Sequence, residues 1–569
     1  MPATLATQGR QRYREGVKVV GKSVVGFSIG IALVSLTASG ETDATGQLEL
    51  TVLDASTGRR LAARVRLRDA SGRDHVPSGQ TEKRLKIGKL LVTAGTVEPL
   101  EVDRWFITDG SDSVKVPAGK MLIRVERGLE YRPALEMVEI RENKVTAHAI
   151  EIVRWIHMRE RGYVCGENHI HQPAEHLGPK LAAEGLDFGT SMSWWNSERL
   201  EMPAGFGWKT DLSFAGTSIP TSILDAELEY SSWGPVYLIG LRGYPSFQAG
   251  QGRAALSLLR EAHELGALVC YHGGWRPEAL LDSLLGYVDV INICNNYFLR
   301  HMFLPRKGAG NMLGIEGLPE YANTPSDMMG MNADGYYRLL NCGLRLAAGA
   351  GSSSGAQDSP VGYNRAYVRA GGRVDLETFL QAWREGRNFV TNGPMIFFTA
   401  HDFSGEPDTY RPGDTVAFEE GGGRLRLKAT VHSDQPLRSL EIVANGEVIG
   451  GGPLKGDLEQ AEIESTLKVS AGTWVAVRAT AEDRLLSDDR LARYRRKIDD
   501  QLPCRLRFAH TSPIYVTVGG QGAHVRKSVE EARRWLDGFE RLARSRASQR
   551  HLPEILEALD TARLKLDEL

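Results

Sequence analysis

A helical segment that ends at a glycine and runs straight into a short apolar strand occurs twice in the middle of the chain. In the first copy, residues 253–265 place apolar side chains at helical spacing, a glycine follows, and residues 267–271 are continuously apolar. In the second, Asp334 is expected to cap a helix that ends at Gly343, before a strand over residues 344–348. Repetition of helix and strand predicts an α/β domain built on a parallel sheet or barrel, with its active groups at the carboxyl ends of the strands.

The segments on either side of this pattern read as β-structure. Leu48, Leu50 and Val52 alternate with polar neighbours, and Asn445-Gly446 is a strong hairpin signal. Near the C-terminus, Ser528 and Glu531 match a capping box in front of an apolar helical stripe. We therefore expect the following order: a signal peptide (1–40), an N-terminal β-sandwich (41–153), the α/β domain (154–400), a C-terminal β-sandwich (401–520) and a helical tail (521–569).

The first forty residues resemble an export signal. Five basic residues precede an uncharged, apolar or small run over residues 24–38, and small residues follow at 38–40. The alternative is an uncleaved anchor, but a run of 15 residues is short for a membrane span. We expect a periplasmic or secreted protein with no stable membrane span after cleavage. The formal net charge of -2 gives no reason to expect a nucleic-acid partner.

The most informative motif is GENHIH, at residues 166–171. Residues i and i+2 of a strand face the same way, so His169 and His171 would converge on one point. Imidazole pairs of this kind suit zinc, although two histidines on a strand are also common as ordinary buried or surface residues. His272 strengthens the metal interpretation because it directly follows the strand predicted at residues 267–271.

Carboxylates are available to complete such a site. Glu227 and Glu229 lie near the end of another apolar segment, and Glu184 precedes the strand that begins at Leu186. Three imidazoles and one carboxylate would make a mononuclear site that leaves room for water, the nucleophile of metal-dependent hydrolysis.

Residues 166–171 resemble the opening GDxHxH motif of the PHP (polymerase and histidinol phosphatase) superfamily. Residues 335–346, 360–365 and 389–394 are similar to its CehA/McbA-like metallohydrolase branch. The resemblance covers roughly residues 155–400. It implies a distorted (β/α) barrel that uses divalent metals to hydrolyse phosphoester, ester or carbamate bonds.

Several positions depart from that family's metal ligands. Ser193 and Trp194 stand where an Asp-His pair is usual, Gly234-Pro235 replaces a Gly-His, and residues 351–355 (GSSSG) replace Gly-Ser-Asp-x-His. None of these replacements can bind metal in the same way, so a three-metal cluster is excluded. The resemblance leaves a site for one divalent metal, or at most two, with zinc expected and manganese or iron as alternatives. Its candidate ligands are His169, His171, His272, Glu184 and Glu229.

Aromatic and basic residues could complete a substrate site. Trp194, Trp195 and Trp275 lie at predicted strand ends and could stack on a sugar ring or another flat substrate, although filling the core is the plainer alternative. Arg365 could bind an anionic group of the substrate. Glu229 and Arg365 are the two candidate catalytic residues.

Two functions from different classes follow. The first is an exported metal-dependent hydrolase acting on a small-molecule or glycan-derived substrate. The second is a catalytically reduced protein on the same scaffold that binds a glycan or other ligand on its tryptophan-rich face. A purely structural surface protein is also compatible with the flanking β-regions, but no motif points to it.

Overall fold

The computed structural model describes residues 44–78, 83–87, 90–94, 104–195, 198–199, 207–230, 234–246, 255–300, 309–321, 324–357, 359–371, 374–403, 408–482 and 507–568. The predicted signal peptide lies outside these residues. The described chain is a mixed α/β structure that is rich in strands, with several sheets and few helices. Within these ranges, no helix is both long and apolar enough to cross a membrane.

The described elements of the N-terminal region are all β-strands. Its strands are β1 (Thr45–Asp54), β2 (Ala63–Asp69), β3 (Asp74–His75), β4 (Lys83–Ile87), β5 (Leu90–Ala94), β6 (Phe106–Thr108), β7 (Ser111–Pro117), β8 (Gly119–Glu126), β9 (Ala134–Ile140) and β10 (Val145–Ile152). The sheets β10-β1-β7 and β3-β2-β8-β9 enclose one apolar core. Leu48, Leu50 and Val52 point into that core, as their alternation predicts.

The central region alternates strands and helices. Its elements are β11 (Tyr163–Gly166), α1 (Ala174–Ala183), β12 (Gly189–Trp195), β13 (Glu198–Arg199), β14 (Lys209–Phe214), β15 (Thr217–Tyr230), β16 (Gly234–Ile239), α2 (Leu256–Glu264), β17 (Leu268–Tyr271), α3 (Ala279–Leu284), β18 (Val290–Cys294), α4 (Pro325–Asn341), β19 (Ala347–Ala350), β20 (Arg365–Arg369), α5 (Leu376–Arg384), β21 (Asn388–Thr391) and β22 (Met395–Asp402). The order in the main sheet is β13-β12-β15-β16-β17-β18-β19, with β14 also paired to β15.

This central sheet is mixed, so the expected parallel pairing is present between some of its strands and not between others. Strands β12, β15, β17, β18 and β19 share one direction, whereas β16 is antiparallel to both of its neighbours. Strand β15 ends at Tyr230 and β16 begins at Gly234, which leaves too few residues for a crossover helix, so the two strands run in opposite directions. The described strands do not form a closed hydrogen-bonded barrel. The carboxyl ends of the five codirectional strands nevertheless meet at one edge.

The C-terminal region returns to β-structure and ends in two helices. Its elements are β23 (Thr409–Tyr410), β24 (Thr415–Phe418), β25 (Gly423–His432), β26 (Leu437–Ala444), β27 (Glu447–Pro453), β28 (Gln460–Val469), β29 (Thr473–Ala481), β30 (Arg507–Thr511), β31 (Ile514–Val518), α6 (Arg526–Arg546) and α7 (Leu552–Asp567). Asn445 and Gly446 both have positive φ, as the predicted hairpin requires.

The central and C-terminal regions share a sheet. Strand β21 pairs with β30, which joins β11, β20 and β21 to β29, β26 and β27 in one sheet. The boundary predicted between residues 400 and 401 falls inside β22, which pairs with β25 along its whole length. These two regions are therefore continuous in the folded chain.

Two predicted helix starts are wrong. Helix α4 begins at Pro325, where the Thr324 hydroxyl accepts the N–H of Asp327, so Asp334 lies inside the helix and does not cap it. Helix α6 begins at Arg526, which places Ser528 within its first turn. The apolar stripe of α6 is buried as packing surface, and the Trp535 indole donates to the Pro277 carbonyl over 3.1 Å.

Candidate metal centre

Three buried side chains converge beside the carboxyl ends of the central strands. His169 and His171 follow β11 in extended chain, and Glu227 lies near the end of β15. The two Nε2 atoms are 3.0 Å apart, and Glu227 Oε2 lies 2.8 Å from that of His171 and 3.4 Å from that of His169. All three residues are at most 6% exposed. We call this group the triad.

Backbone hydrogen bonds hold the two histidines in place. Ile170 forms a bridge with Ser354, and the His171 amide donates to the Ser354 carbonyl over 2.8 Å. On the other side, the Met192 amide donates to the Ile170 carbonyl over 2.9 Å. The His-x-His segment thus lies between β12 and the loop after β19, and its alternation turns both imidazoles towards Glu227.

The serine- and glycine-rich loop after β19 supports the histidines from behind. A Cβ at Gly351 would lie 2.4 Å from the His169 Cβ, and one at Gly355 would lie 2.2 Å from the His171 carbonyl oxygen. Gly355 also has a φ of +94°, a conformation that other residues rarely adopt. This loop therefore needs glycine for close packing.

Glu167 ties two loops to the same segment. Its carboxylate accepts the backbone N–H of Ser352 and, over 2.6 Å, that of Gly362. Burial raises the pKa of Glu167 to about 8, although these hydrogen bonds and Arg365 act in the opposite direction. Glu167 is a positioning residue, since its oxygens face the backbone and not the triad.

Buried amides form a further layer beneath the triad. Asn168 and Asn292 exchange side-chain hydrogen bonds of 2.8 and 2.9 Å, and Asn295 donates to the His272 carbonyl over 3.0 Å. Asn364 donates to the carbonyls of Asn295 and Phe298. Fully paired amide networks fix the geometry of what they support.

The charges of the triad are those of a metal-binding group. Burial raises the pKa of Glu227, but His169 and His171 outweigh it and hold that pKa well below its usual range. Burial lowers the pKa of His169, against the attraction of Glu227. At neutral pH the group therefore offers a carboxylate and a neutral imidazole, the forms that bind metal.

The spacing fits one divalent ion. Ligand atoms around a tetrahedral zinc lie about 2.0–2.2 Å from the metal, which puts them roughly 3.3 Å from one another. Separations of 2.8, 3.0 and 3.4 Å leave room for a point about 2 Å from all three atoms. His169, His171 and Glu227 could thus hold a metal ion.

Four buried polar atoms around the triad have no hydrogen-bond partner among the described residues: His169 Nδ1, His171 Nδ1, Trp195 Nε1 and Tyr237 Oη. Burial raises the pKa of Tyr237 well above its ordinary value, so its hydroxyl remains a donor. Buried polar groups without partners are rare in folded proteins and mark places where water or a ligand completes the structure.

His272 lies close to the triad but outside it. Arg276 Nη2 donates to its Nδ1 over 2.9 Å, and its Nε2 donates to Asn296 Oδ1 over 2.5 Å. The lone pair that a metal would need is therefore occupied. The ring of Tyr237 lies between His169 and His272, with centroids 4.2 and 6.3 Å away.

The two predicted glutamate ligands lie elsewhere. Glu184 is buried in an ion pair with Arg64 and lies 3.9 Å from an Nη atom of Arg365. Glu229 is exposed and lies two residues beyond Glu227 on the same face of β15. Glu227, which the sequence analysis considered beside Glu229 but did not choose as a ligand, is the carboxylate that lies next to the two histidines.

Arg365 supports the backbone. It is 1% exposed, and its guanidinium donates to the carbonyls of Gly362 and Glu184 over 2.5 and 3.1 Å. These contacts hold together the chain before β20 and the end of α1. They leave the Arg365 guanidinium enclosed by protein.

The tryptophans do not form an exposed platform. Trp194 is 1% exposed, and Trp275 is 5% exposed with its indole donating to the Met331 carbonyl over 2.6 Å. Trp195 is half-buried and meets the His171 ring edge-on, with centroids 5.7 Å apart. Sequence reasoning missed Tyr237, whose only signal is its place in the short strand after the Glu227 segment.

Comparison with known proteins adds little. No protein-family profile matches the chain, and no curated protein matches it. Among solved structures, GBS52, the minor pilin of the gram-positive pathogen Streptococcus agalactiae, aligns at 19% identity over 20% of this chain and 45% of the pilin, with a TM-score of 0.14. The chain thus spans less than half the length of that pilin. A TM-score this low supports no argument about fold or function.

Proposed function

We propose that this protein is an exported metal-dependent hydrolase that cleaves a phosphoester, ester or carbamate bond. The observation that carries the proposal is the convergence of two imidazole nitrogens and one carboxylate oxygen at a buried point. The metal is a single divalent ion, with zinc favoured by the two nitrogen ligands and manganese or iron as alternatives.

We interpret the central region as an incomplete, PHP-like distorted barrel between two β-sandwich regions, an architecture that would suit this function. The triad lies where the codirectional strands end, the usual location of active groups in α/β folds. Resemblance of residues 166–171 to the GDxHxH motif agrees with this placement. Export to the periplasm or beyond follows from the signal-like residues 1–40.

When bound, a divalent ion supplies Lewis acidity and lowers the pKa of water. The chain supplies the rest. His169, His171 and Glu227 would hold the ion, while Glu167 and the amide pair Asn168–Asn292 keep the two histidines in position. His272, held neutral by burial and by Arg276, forms the neighbouring wall of the site.

The alternative of a ligand-binding protein on a reduced scaffold has weaker support. It needs tryptophan faces open to solvent, and Trp194 and Trp275 are buried. The smaller ligand set favours one metal and does not by itself exclude hydrolysis.

The test is a hydrolysis screen on the full chain with chromogenic phosphoester, carboxylester and carbamate substrates, in zinc or manganese after metal removal. We expect turnover of one class that Glu227→Gln abolishes and Glu229→Gln preserves. Equal turnover by wild type and Glu227→Gln, or no turnover of any class by metal-loaded protein, would contradict the proposal.

A further inference from the structure

Two aromatic hydrogen-bond donors stand on either side of Glu227. Trp195 on β12 pairs with Glu227 on β15, and Glu227 in turn pairs with Tyr237 on β16. Residues directly opposite one another in a sheet project from the same face. Trp195, Glu227 and Tyr237 therefore form one row across three neighbouring strands, with the carboxylate in the middle.

Each donor also contacts one histidine of the triad. The Tyr237 ring lies against His169 at an interplanar angle of 35°, with centroids 4.2 Å apart. The Trp195 ring meets His171 at 66°, with centroids 5.7 Å apart. Both aromatic side chains are thus fixed against the metal-binding group, one at each end of the row.

Both donors lack an acceptor within the described structure. Tyr237 is fully buried, yet its Oη has no hydrogen-bond partner there, and the same holds for the buried Nε1 of Trp195. An indole N–H can only donate, and a protonated phenol donates readily to an oxygen. Residues that only filled the core would be served equally well by phenylalanine, which carries no polar atom to satisfy.

A positive charge lies beside the Tyr237 end of the row. Arg276 donates to His272 Nδ1 over 2.9 Å and to the Tyr297 hydroxyl over 3.2 Å, and Tyr297 stacks edge-on against His272 at 4.8 Å. With a divalent ion on the triad, the positive charges of the ion and Arg276 outnumber the negative charges of Glu227 and Glu229. That balance favours an anionic ligand.

We propose that Tyr237 Oη and Trp195 Nε1 are substrate-binding donors that flank the metal centre and receive acceptor oxygens of an oxyanion group, such as a phosphoryl or carboxylate group. This inference rests on the proposed function, because the triad supplies the charge between the two donors. It assigns substrate contact to two residues that provide no metal ligand.

The test is calorimetric titration of inorganic phosphate into the zinc-loaded full chain, with the metal content of each sample measured in parallel. Tyr237→Phe removes only the hydroxyl donor, and Trp195→Phe removes the indole N–H donor while retaining a smaller aromatic ring. We expect each to retain wild-type zinc and to weaken phosphate binding about 10-fold, the equivalent of about 1.4 kcal/mol. Tyr287→Phe, which removes a hydroxyl outside the site, is the matched control and should bind as wild type does.

The outcomes separate the two proposals. If the wild-type protein fails to bind zinc, the proposed function is contradicted, whatever the result of the phosphate titration. Zinc-loaded wild type that binds no phosphate overturns the inference. So does binding that is unchanged in both variants, or weakened as much by Tyr287→Phe. Weakening confined to Tyr237→Phe and Trp195→Phe, at full zinc content, establishes it.

Discussion

Glu126 and Glu227 are both buried carboxylates whose pKa values are held well below the usual range, but their surroundings differ in kind. Burial opposes ionisation at Glu126, and Arg300, Arg124 and Arg64 overcome it. Their nitrogens lie 2.5, 2.7 and 2.9 Å from the carboxylate oxygens. At Glu227 the close partners among the described residues are two imidazoles, one of which burial keeps from being charged.

This difference separates a structural ion cluster from a binding site. Glu126 is surrounded by permanent cations, so a further cation would be repelled. Glu227 is surrounded by groups that donate lone pairs, and buried polar atoms beside it lack hydrogen-bond partners in the described part of the chain. Burial of a charge is therefore not by itself a mark of function. The groups that neutralise the buried charge distinguish a binding site from a structural ion pair.

The largest expected effect is on the ion cluster. Glu126→Gln leaves three guanidinium groups together without their shared carboxylate, which should lower stability by about 3–5 kcal/mol. The midpoint of urea unfolding measures this. Glu530→Gln, which removes a partner from an exposed pair with Arg526, is the control and should cost under about 0.5 kcal/mol. Equal shifts of the urea midpoint in Glu126→Gln and Glu530→Gln would show that the buried ion cluster stabilises the fold no more than an exposed ion pair does.

Substitution in the triad should have the opposite effect, with a large loss of zinc affinity and a small loss of stability. His171→Ala removes a ligand and should weaken zinc binding more than about 100-fold, since changes to groups that merely support ligands already cost 10–100-fold. The urea midpoint of the metal-free protein should change far less than in Glu126→Gln. Competition with a chelating dye gives the affinity, and a variant that holds zinc as tightly as wild type would remove His171 from the site.

A third buried acid is neutralised by a proton. Asp282 accepts a hydrogen bond from Tyr271 and lies one helical turn from the buried Glu278. Burial raises the pKa of Asp282 to about 8, and that of Glu278 rises as well, through burial and the nearby Asp282. Neither acid has a cation beside it among the described residues.

The sign of the pH dependence follows from the raised pKa. The stability contributed by the neutral Asp282 carboxyl is complete below its ordinary pKa of 3.8, decreases as the pH rises above that value, and is lost once the pH passes about 8. Asp282→Asn cannot ionise, so at pH 9 it should be more stable than wild type by on the order of 1–2 kcal/mol, with a smaller advantage at pH 5. Urea midpoints at the two pH values check this, and an advantage of equal size at both would contradict it.

The sequence predicted local features better than distant ones. Helix α2, the glycine after it and strand β17 follow from periodicity over a short span. The start of α4 could not be read in the same way, because glycines at positions 330 and 335 interrupt its pattern and Asp334 imitates a cap. The reversal at β16 depends on pairing with both neighbours, which no single segment encodes.

In the candidate site, too, local features could be predicted from the sequence and features that depend on long-range contacts could not. His169 and His171 were found because alternation on extended chain needs only two residues. Glu227 and Glu229 share one face of β15, so the choice between them depends on where the His-x-His segment crosses that strand. Arg365 and His272 were placed near the site by sequence, but only the folded chain shows that backbone carbonyls and Arg276 occupy them.

The most direct test of the account is the zinc content of Glu227→Gln beside Glu229→Gln, each purified as the full chain, stripped of metal, reloaded and counted by elemental analysis. We predict about one zinc per chain in wild type and in Glu229→Gln, and under about 0.2 in Glu227→Gln. Loss of zinc in Glu229→Gln with full retention in Glu227→Gln would contradict the triad as the metal centre.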